Sequence, residues 1–201
     1  MIGIYILSFG VFLFIADSIF KNNLKYIFVV ILFTISCCSI IKVLWDYYSL
    51  NLLIFSLFDK PSLLCVFLVL SYIFKNIFKN IPLKNKILKL FIDSTINQFF
   101  FLLLFIFGLV LFLGSLGLIP FDIYHSSKLY QSIFVFIFMI CFYFVDRFCS
   151  FIVLLALIFG IFLNDDILTC LICVYLFVFS FIIILFNVLK FIINALKGLS
   201  L

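Results

Sequence analysis

Long, solidly apolar runs separated by short polar breaks fill almost the whole of this chain. A bilayer core is crossed by about 20 mostly apolar residues in helix, and backbone amides in lipid must bond within a helix or a closed barrel. Barrel strands alternate apolar and polar positions over about ten residues. These runs do not alternate, so the pattern predicts helices. Seven spans follow, at residues 2–20, 26–45, 58–74, 99–119, 128–145, 148–164 and 167–189. Pro61 suits the first turn of the third span. The apolar piece 47–58 is too short to cross alone and reads as interfacial or re-entrant. The expected fold class is therefore all-α, a polytopic integral membrane helix bundle of about seven transmembrane helices, with residues 1–201 forming a single membrane domain.

The polar breaks set an orientation. The one extended polar region, the lysine-rich loop 75–98, contains KNIFKNIPLKNKILK, whose five lysines mark the cytoplasmic side or its equivalent. Phe78, Leu83, Ile87 and Leu88 within it suggest an amphipathic piece lying on the headgroups. Alternating outward from this loop puts Lys21, Lys25, Lys75, Lys79, Lys84, Lys86, Lys89, Arg147, Lys190 and Lys197 inside, with only Lys60 and Lys128 in outside loops. That asymmetry is the positive-inside bias of membrane proteins. It places the N-terminus outside and the C-terminus inside. MIGIYILSFG has neither a positive leader region nor a small-residue cleavage site, so it is expected to be a retained first span. The pair Asp146–Arg147 is the tightest joint. One helix through it would run about 33 residues, near 50 Å at 1.5 Å per residue, too long for one crossing, so a hairpin is expected there.

Composition narrows the class further. The chain is 69% hydrophobic and 10% charged, where a soluble domain is about half apolar and a quarter charged. A body of 201 residues has too little interior to hide that much hydrocarbon. Thirty-three phenylalanines and no glutamate fit an AT-biased coding sequence. The net charge of +5 comes from lysines between apolar runs rather than from a basic face with interleaved aromatics. Nucleic acid is thus excluded as a partner; the lipid bilayer and other membrane proteins are the expected ones. A bacterial inner (plasma) membrane is the expected location, with an organellar inner membrane as the alternative. All seven cysteines lie in apolar runs, where they act as small hydrophobes. Cys170 and Cys173 have redox or metal spacing but no polar neighbours in a lipid-embedded helix.

Ionisable groups in or beside spans are the functional candidates. Asp17 stands one turn before Lys21, the favourable order for a helical ion pair; a proton-relay carboxylate is the alternative. Lys42 lies one turn from Trp45 and can snorkel to water. Asp93, followed by Ser94, Thr95, Asn97 and Gln98, reads as a capped helix start. Asp122 and His125, in the stretch GSLGLIPFDIYHSSK, form an outer turn that also offers an acid and an imidazole for proton or cation handling. Gly114 and Gly117 there make a small helix face suited to a close neighbouring helix, and Pro120 is expected to stop the helix. Asp146 and Arg147 complete the polar candidates. No residue is assigned a catalytic, cofactor-binding or metal-binding role. One histidine gives too few ligands for zinc, no cysteine has a carboxylate placed to activate it in a recognised motif, and no nucleotide-cradling glycine motif occurs.

LGLIP, Leu116–Pro120, resembles the N-L-x-G-L-I-P element of the proton-channel subunit a of rotary ATP synthases. The resemblance covers some seven residues. That family carries a mid-helix arginine with a following Asn and a later Gly-His, whereas Arg147 is followed by Phe148, Cys149 and Ser150 with no later histidine. The departure falls on the functional residues, so the family is not adopted. The expected function is that of a non-catalytic accessory, assembly or scaffold component acting through helix packing. An ion- or small-solute-translocating subunit is the alternative, and a lipid-directed intramembrane enzyme is a third reading with no catalytic cluster behind it.

Overall fold

A computed structural model describes residues 2–19, 24–37, 60–78 and 96–199. Among them all regular structure is α-helical and no strand occurs. In chain order the helices are α1 (Ile2–Ile19), α2 (Leu24–Cys37), α3 (Leu63–Phe78), α4 (Gln98–Ser115), α5 (Lys128–Val145), α6 (Arg147–Leu163), α7 (Ile167–Leu171) and α8 (Val174–Leu199). They fall into two units, residues 1–93 and 94–201.

In the first unit α1 packs against both α2 and α3. Leu13, Ala16 and Val29 are buried at its centre, surrounded by Phe9, Phe12, Tyr26, Phe28 and Tyr72. Glycines bring α1 close to α3. A Cβ on Gly3 would stand 3.1 Å from Val66 and 3.2 Å from Pro61, and one on Gly10 would collide with Val69. Being seven residues apart, the two lie on one face of α1, where absent side chains let backbones approach. These contacts advance along both helices together, so α1 and α3 run the same way. The Phe9–Phe33 ring pair, with centroids 5.3 Å apart, and the Leu13, Ala16 and Val29 cluster set α2 in the opposite direction. Helix α3 starts two residues later than proline placement suggests. Ser62 caps it, its Oγ accepting from Cys65 N at 3.3 Å, and Pro61 precedes the cap.

Phenylalanine does the packing in the second unit. Phe100 faces Phe142 with centroids 4.7 Å apart, and Phe107 stacks on Phe134 and Phe138. Residue numbers rise on α4 as they fall on α5, so these helices are antiparallel. On another side of α4, Phe101 meets Phe179 and Phe105 meets Phe177 and Phe181. Gly108 gives Phe177 its room, since a Cβ there would lie 2.6 Å from the ring. Such ring pairs contribute about 0.5–1.5 kcal/mol each beyond the area they bury.

Helix ends in this unit have local causes. Helix α4 stops at Ser115, well before Pro120, because Gly117 takes φ +70°. Its N–H bonds Gly114 O at 3.0 Å while Leu118 N bonds Leu113 O at 3.0 Å, the paired closure that a left-handed glycine permits. Nothing lies within 4 Å of a Cβ placed on Gly117, whereas one on Gly114 would stand 2.7 Å from Phe121 O. The small face expected to receive a neighbouring helix is thus used by the chain's own return. Helix α6 ends the same way at Asn164, φ 55°, where Asp165 N bonds Gly160 O at 3.1 Å.

The apolar stretch 167–189, expected as one continuous span, holds a break. Helix α7 ends at Leu171, Ile172 is extended, and α8 starts at Val174 and runs 26 residues, about 39 Å at 1.5 Å per residue. No glycine or proline causes this. Helix α7 packs against α5 and α6 while α8 packs along α4, and the chain turns to serve both. Among the described residues two helices, α4 and α5, are long and apolar enough to cross a membrane; of their residues 39% and 11% are buried.

Candidate functional site

Among the described residues three polar places interrupt the apolar surfaces, and each is built around a sequence candidate. The first lies at one end of the first unit, where α1 ends, α2 begins and α3 ends. Asp17 Oδ2 accepts from Tyr72 OH at 2.8 Å and from Asn76 Nδ2. Tyr72 and Asn76 are four residues apart on α3 and so share a face. Tyr26 OH, from α2, donates to Asn76 O at 3.3 Å. One carboxylate therefore ties α1 to α3, and a phenol adds α2. A carboxylate in an apolar helix needs donors, and Tyr72 with Asn76 was the i,i+4 pair that could have been found. Lys21, its expected partner, lies outside the described residues, as does Lys42.

The second place is the turn between α4 and α5. Asp122 Oδ1 accepts from His125 N at 3.2 Å, and its Oδ2 lies 2.7 Å from His125 Nδ1. Gln131, reaching back from the first turn of α5, donates Nε2 to Tyr124 O at 2.8 Å and to Ser126 O at 3.3 Å. The hydrogen bond from the imidazole, more than any other influence, holds the Asp122 carboxyl below its ordinary value of 3.8. A depressed folded-state value means that the turn gains stability above the unfolded carboxylate range and loses it as pH falls through the folded value. His125→Asn is expected to raise the Asp122 midpoint, read from its carboxyl carbon shift during acid titration; an unchanged midpoint would refute the pairing. The pair is open to water, and beside it Ser126 Oγ donates to Ile123 O at 2.7 Å.

The third place is the junction of α5 and α6, where the expected hairpin turn is a single residue. Asp146 has extended geometry, φ −155° and ψ 107°, ending one helix and capping the next. Its Oδ1 accepts from Phe148 N at 2.9 Å and Cys149 N at 3.2 Å. Its Oδ2 accepts from Asn97 N at 3.0 Å and receives the Cys149 Sγ contact at 3.5 Å. Asn97 caps α4 through Phe99 N at 3.2 Å and reaches Val145 O with Nδ2 at 3.4 Å. Asp146 and Asn97 thus lock the starts of α4 and α6 to the end of α5. Arg147 lies over the Tyr143 ring, 5.8 Å from its centroid, within the range of a cation–π contact.

Asp17 belongs to the first unit, and Asp122–His125 and Asp146–Arg147 lie at opposite ends of the 18-residue α5. Among the described residues no three His, Cys, Asp or Glu side chains converge as a metal-ligand set. Buried hydroxyls of Ser71 and Ser180 bond carbonyls of their own helices, at Leu68 and Leu176. Comparisons with protein families, with curated proteins and with solved structures give no match.

Proposed function

We propose that this chain is a multi-pass integral membrane protein that works through helix packing, as a non-catalytic accessory, assembly or scaffold component of a membrane system. The observation that carries the membrane part is α5, apolar along 18 residues and only 11% buried. A core helix of a soluble protein hides such a surface; here Phe136, Ile137, Ile140 and Phe144 remain exposed. Exposed apolar patches of that extent need an apolar neighbour, and acyl chains supply one.

Helix direction supports successive crossings. Helices α1 and α3 run one way and α2 the other, and α4 is antiparallel to α5. In this reading the seven longer helices are the crossings, and α7 is a short outer piece before the last. In the second unit the Asp146–Arg147 junction then lies on the lysine-rich side, while Asp122 and His125, at the other end of α5, face outside. Support for a packing role comes from how the polar groups are used: Asp17, Asn97 and Asp146 join helix to helix.

Gentle-detergent purification, with identification of whatever co-elutes, tests the role. A stoichiometric membrane partner is the expected result; a monodisperse protein with none overturns it. Single substitutions Asp17→Asn, His125→Asn and Arg147→Gln separate the translocation alternative. Selective loss of solute or ion flux at normal protein level would put that alternative first.

A further inference from the structure

The groove at the α5–α6 junction contains two polar side chains that build it and two that have no such task. Its lining is Ile96, Asn97, Gln98, Val145, Asp146, Arg147 and Phe148. Asn97 and Asp146 are committed to caps and cross-links. Asp146 receives donors on both oxygens from Asn97, Phe148 and Cys149, and it forms no ion pair with the neighbouring arginine. Arg147 is exposed, and its guanidinium lies over the Tyr143 ring. Among the described residues neither Arg147 nor Gln98 has an ionic or hydrogen-bonding partner. A guanidinium is a bidentate donor suited to phosphate oxygens, and the Gln98 amide adds a neutral donor.

The remaining walls say which phosphate. Ile96, Val145 and Phe148 are apolar, and the groove is open at about 640 Å³, far more than a lone ion of roughly one water's volume needs. Next to it, the last turn of α5 presents Tyr143 and Phe144, the latter 81% exposed. A basic donor and an amide over an apolar floor, beside an uncovered apolar helix, match a headgroup whose acyl chains continue down the helix. Basic pockets between membrane helices on the positive side recognise lipid headgroups in this way.

We propose that this groove binds the phosphate of an anionic phospholipid, with Arg147 as the charged donor and Gln98 as the second. The proposal rests on the membrane reading above and adds a ligand to it. The full-length protein in mild detergent is offered phosphatidylglycerol, phosphatidylcholine and inorganic phosphate, and retained lipid is counted by native mass spectrometry. Phosphatidylglycerol is expected to bind best. Arg147→Gln is expected to weaken it at least about tenfold, the equivalent of roughly 1.4 kcal/mol, as loss of a charge-assisted hydrogen bond implies. Arg147→Lys should retain part of the binding, Gln98→Leu should lose some, and Lys128→Gln, at the other end of α5, should change nothing.

Equal retention of phosphatidylcholine, or Arg147→Gln binding phosphatidylglycerol like the parent, overturns the site. Full competition by inorganic phosphate overturns the lipid as its source. Melting curves for each variant separate lost binding from lost folding, with Arg147→Lys as the folded, charged control. Carbonate extraction of native membranes is run beside these. A chain released by it refutes the membrane reading itself, whereas a retained chain with an indifferent Arg147→Gln refutes the lipid site alone.

Discussion

Asp17→Ala is expected to destabilise the first unit by about 2 kcal/mol, the sum of two side-chain bonds lost from one carboxylate. Tyr72 OH and Asn76 Nδ2 both donate to Asp17 Oδ2. Removing a buried acceptor costs about 1–3 kcal/mol for each donor left behind, while bonds between membrane helices average nearer 0.6 kcal/mol with a maximum of about 1.7. The two together place the effect near the middle of the range. Alanine is the best helix former, so the loss comes from the tie to α3 rather than from α1. Asp17→Asn keeps an oxygen in place and should lose less. Thermal unfolding in detergent measures both, and an Asp17→Ala midpoint equal to the parent's would refute the tie.

Gly108→Leu is expected to cost about 2–3 kcal/mol and to part α4 from α8. The first added carbon would already stand 2.6 Å from Phe177 Cδ2. Phe177 cannot yield freely, since it stacks on Phe105 at 5.0 Å with ring planes 16° apart. Inserting bulk into a filled interface typically costs about 1–3 kcal/mol, and leucine adds four carbons. Gly108→Ala asks only a shift of the ring and should cost less than half as much. A cysteine pair placed across α4 and α8 would report the separation directly: crosslinking should fall in Gly108→Leu. Unchanged crosslinking and an unchanged melt would mean that the ring moves aside without cost.

Gly108 also shows where sequence reading stops. The glycines that attract notice in the sequence are Gly114 and Gly117, because they stand together beside Ser115. In the fold Gly117 closes a helix and Gly114 admits the chain's own return. The glycines that seat one helix on another are Gly3, Gly10 and Gly108, isolated in apolar runs. Spacing reveals a helix face; it does not reveal what arrives there. Asp17 carries the same lesson, since its need for donors is visible in the sequence, but Tyr72 and Asn76 stand 55 and 59 residues away. Asp146 was more legible: a polar pair between two apolar runs marks a helix end, and an aspartate is a good cap. Its reach to Asn97 was not legible, because that bond crosses 49 residues.

By itself the sequence determined that this chain is helical, because unbroken apolar runs exclude alternation, and it determined where polar groups interrupt the helices, because a cap or a left-handed residue acts within a few neighbours. Asn164 and Asp146 are such local decisions. Only the tertiary structure decided that α7 and α8 part at Ile172, that Asp17 bonds to α3, and that Arg147 meets no carboxylate among the described residues. Those outcomes depend on which helices lie side by side. An apolar helix offers nearly the same surface in every direction, so its neighbours are chosen by the shape of whole faces and by a few distant polar contacts rather than by any short stretch of residues.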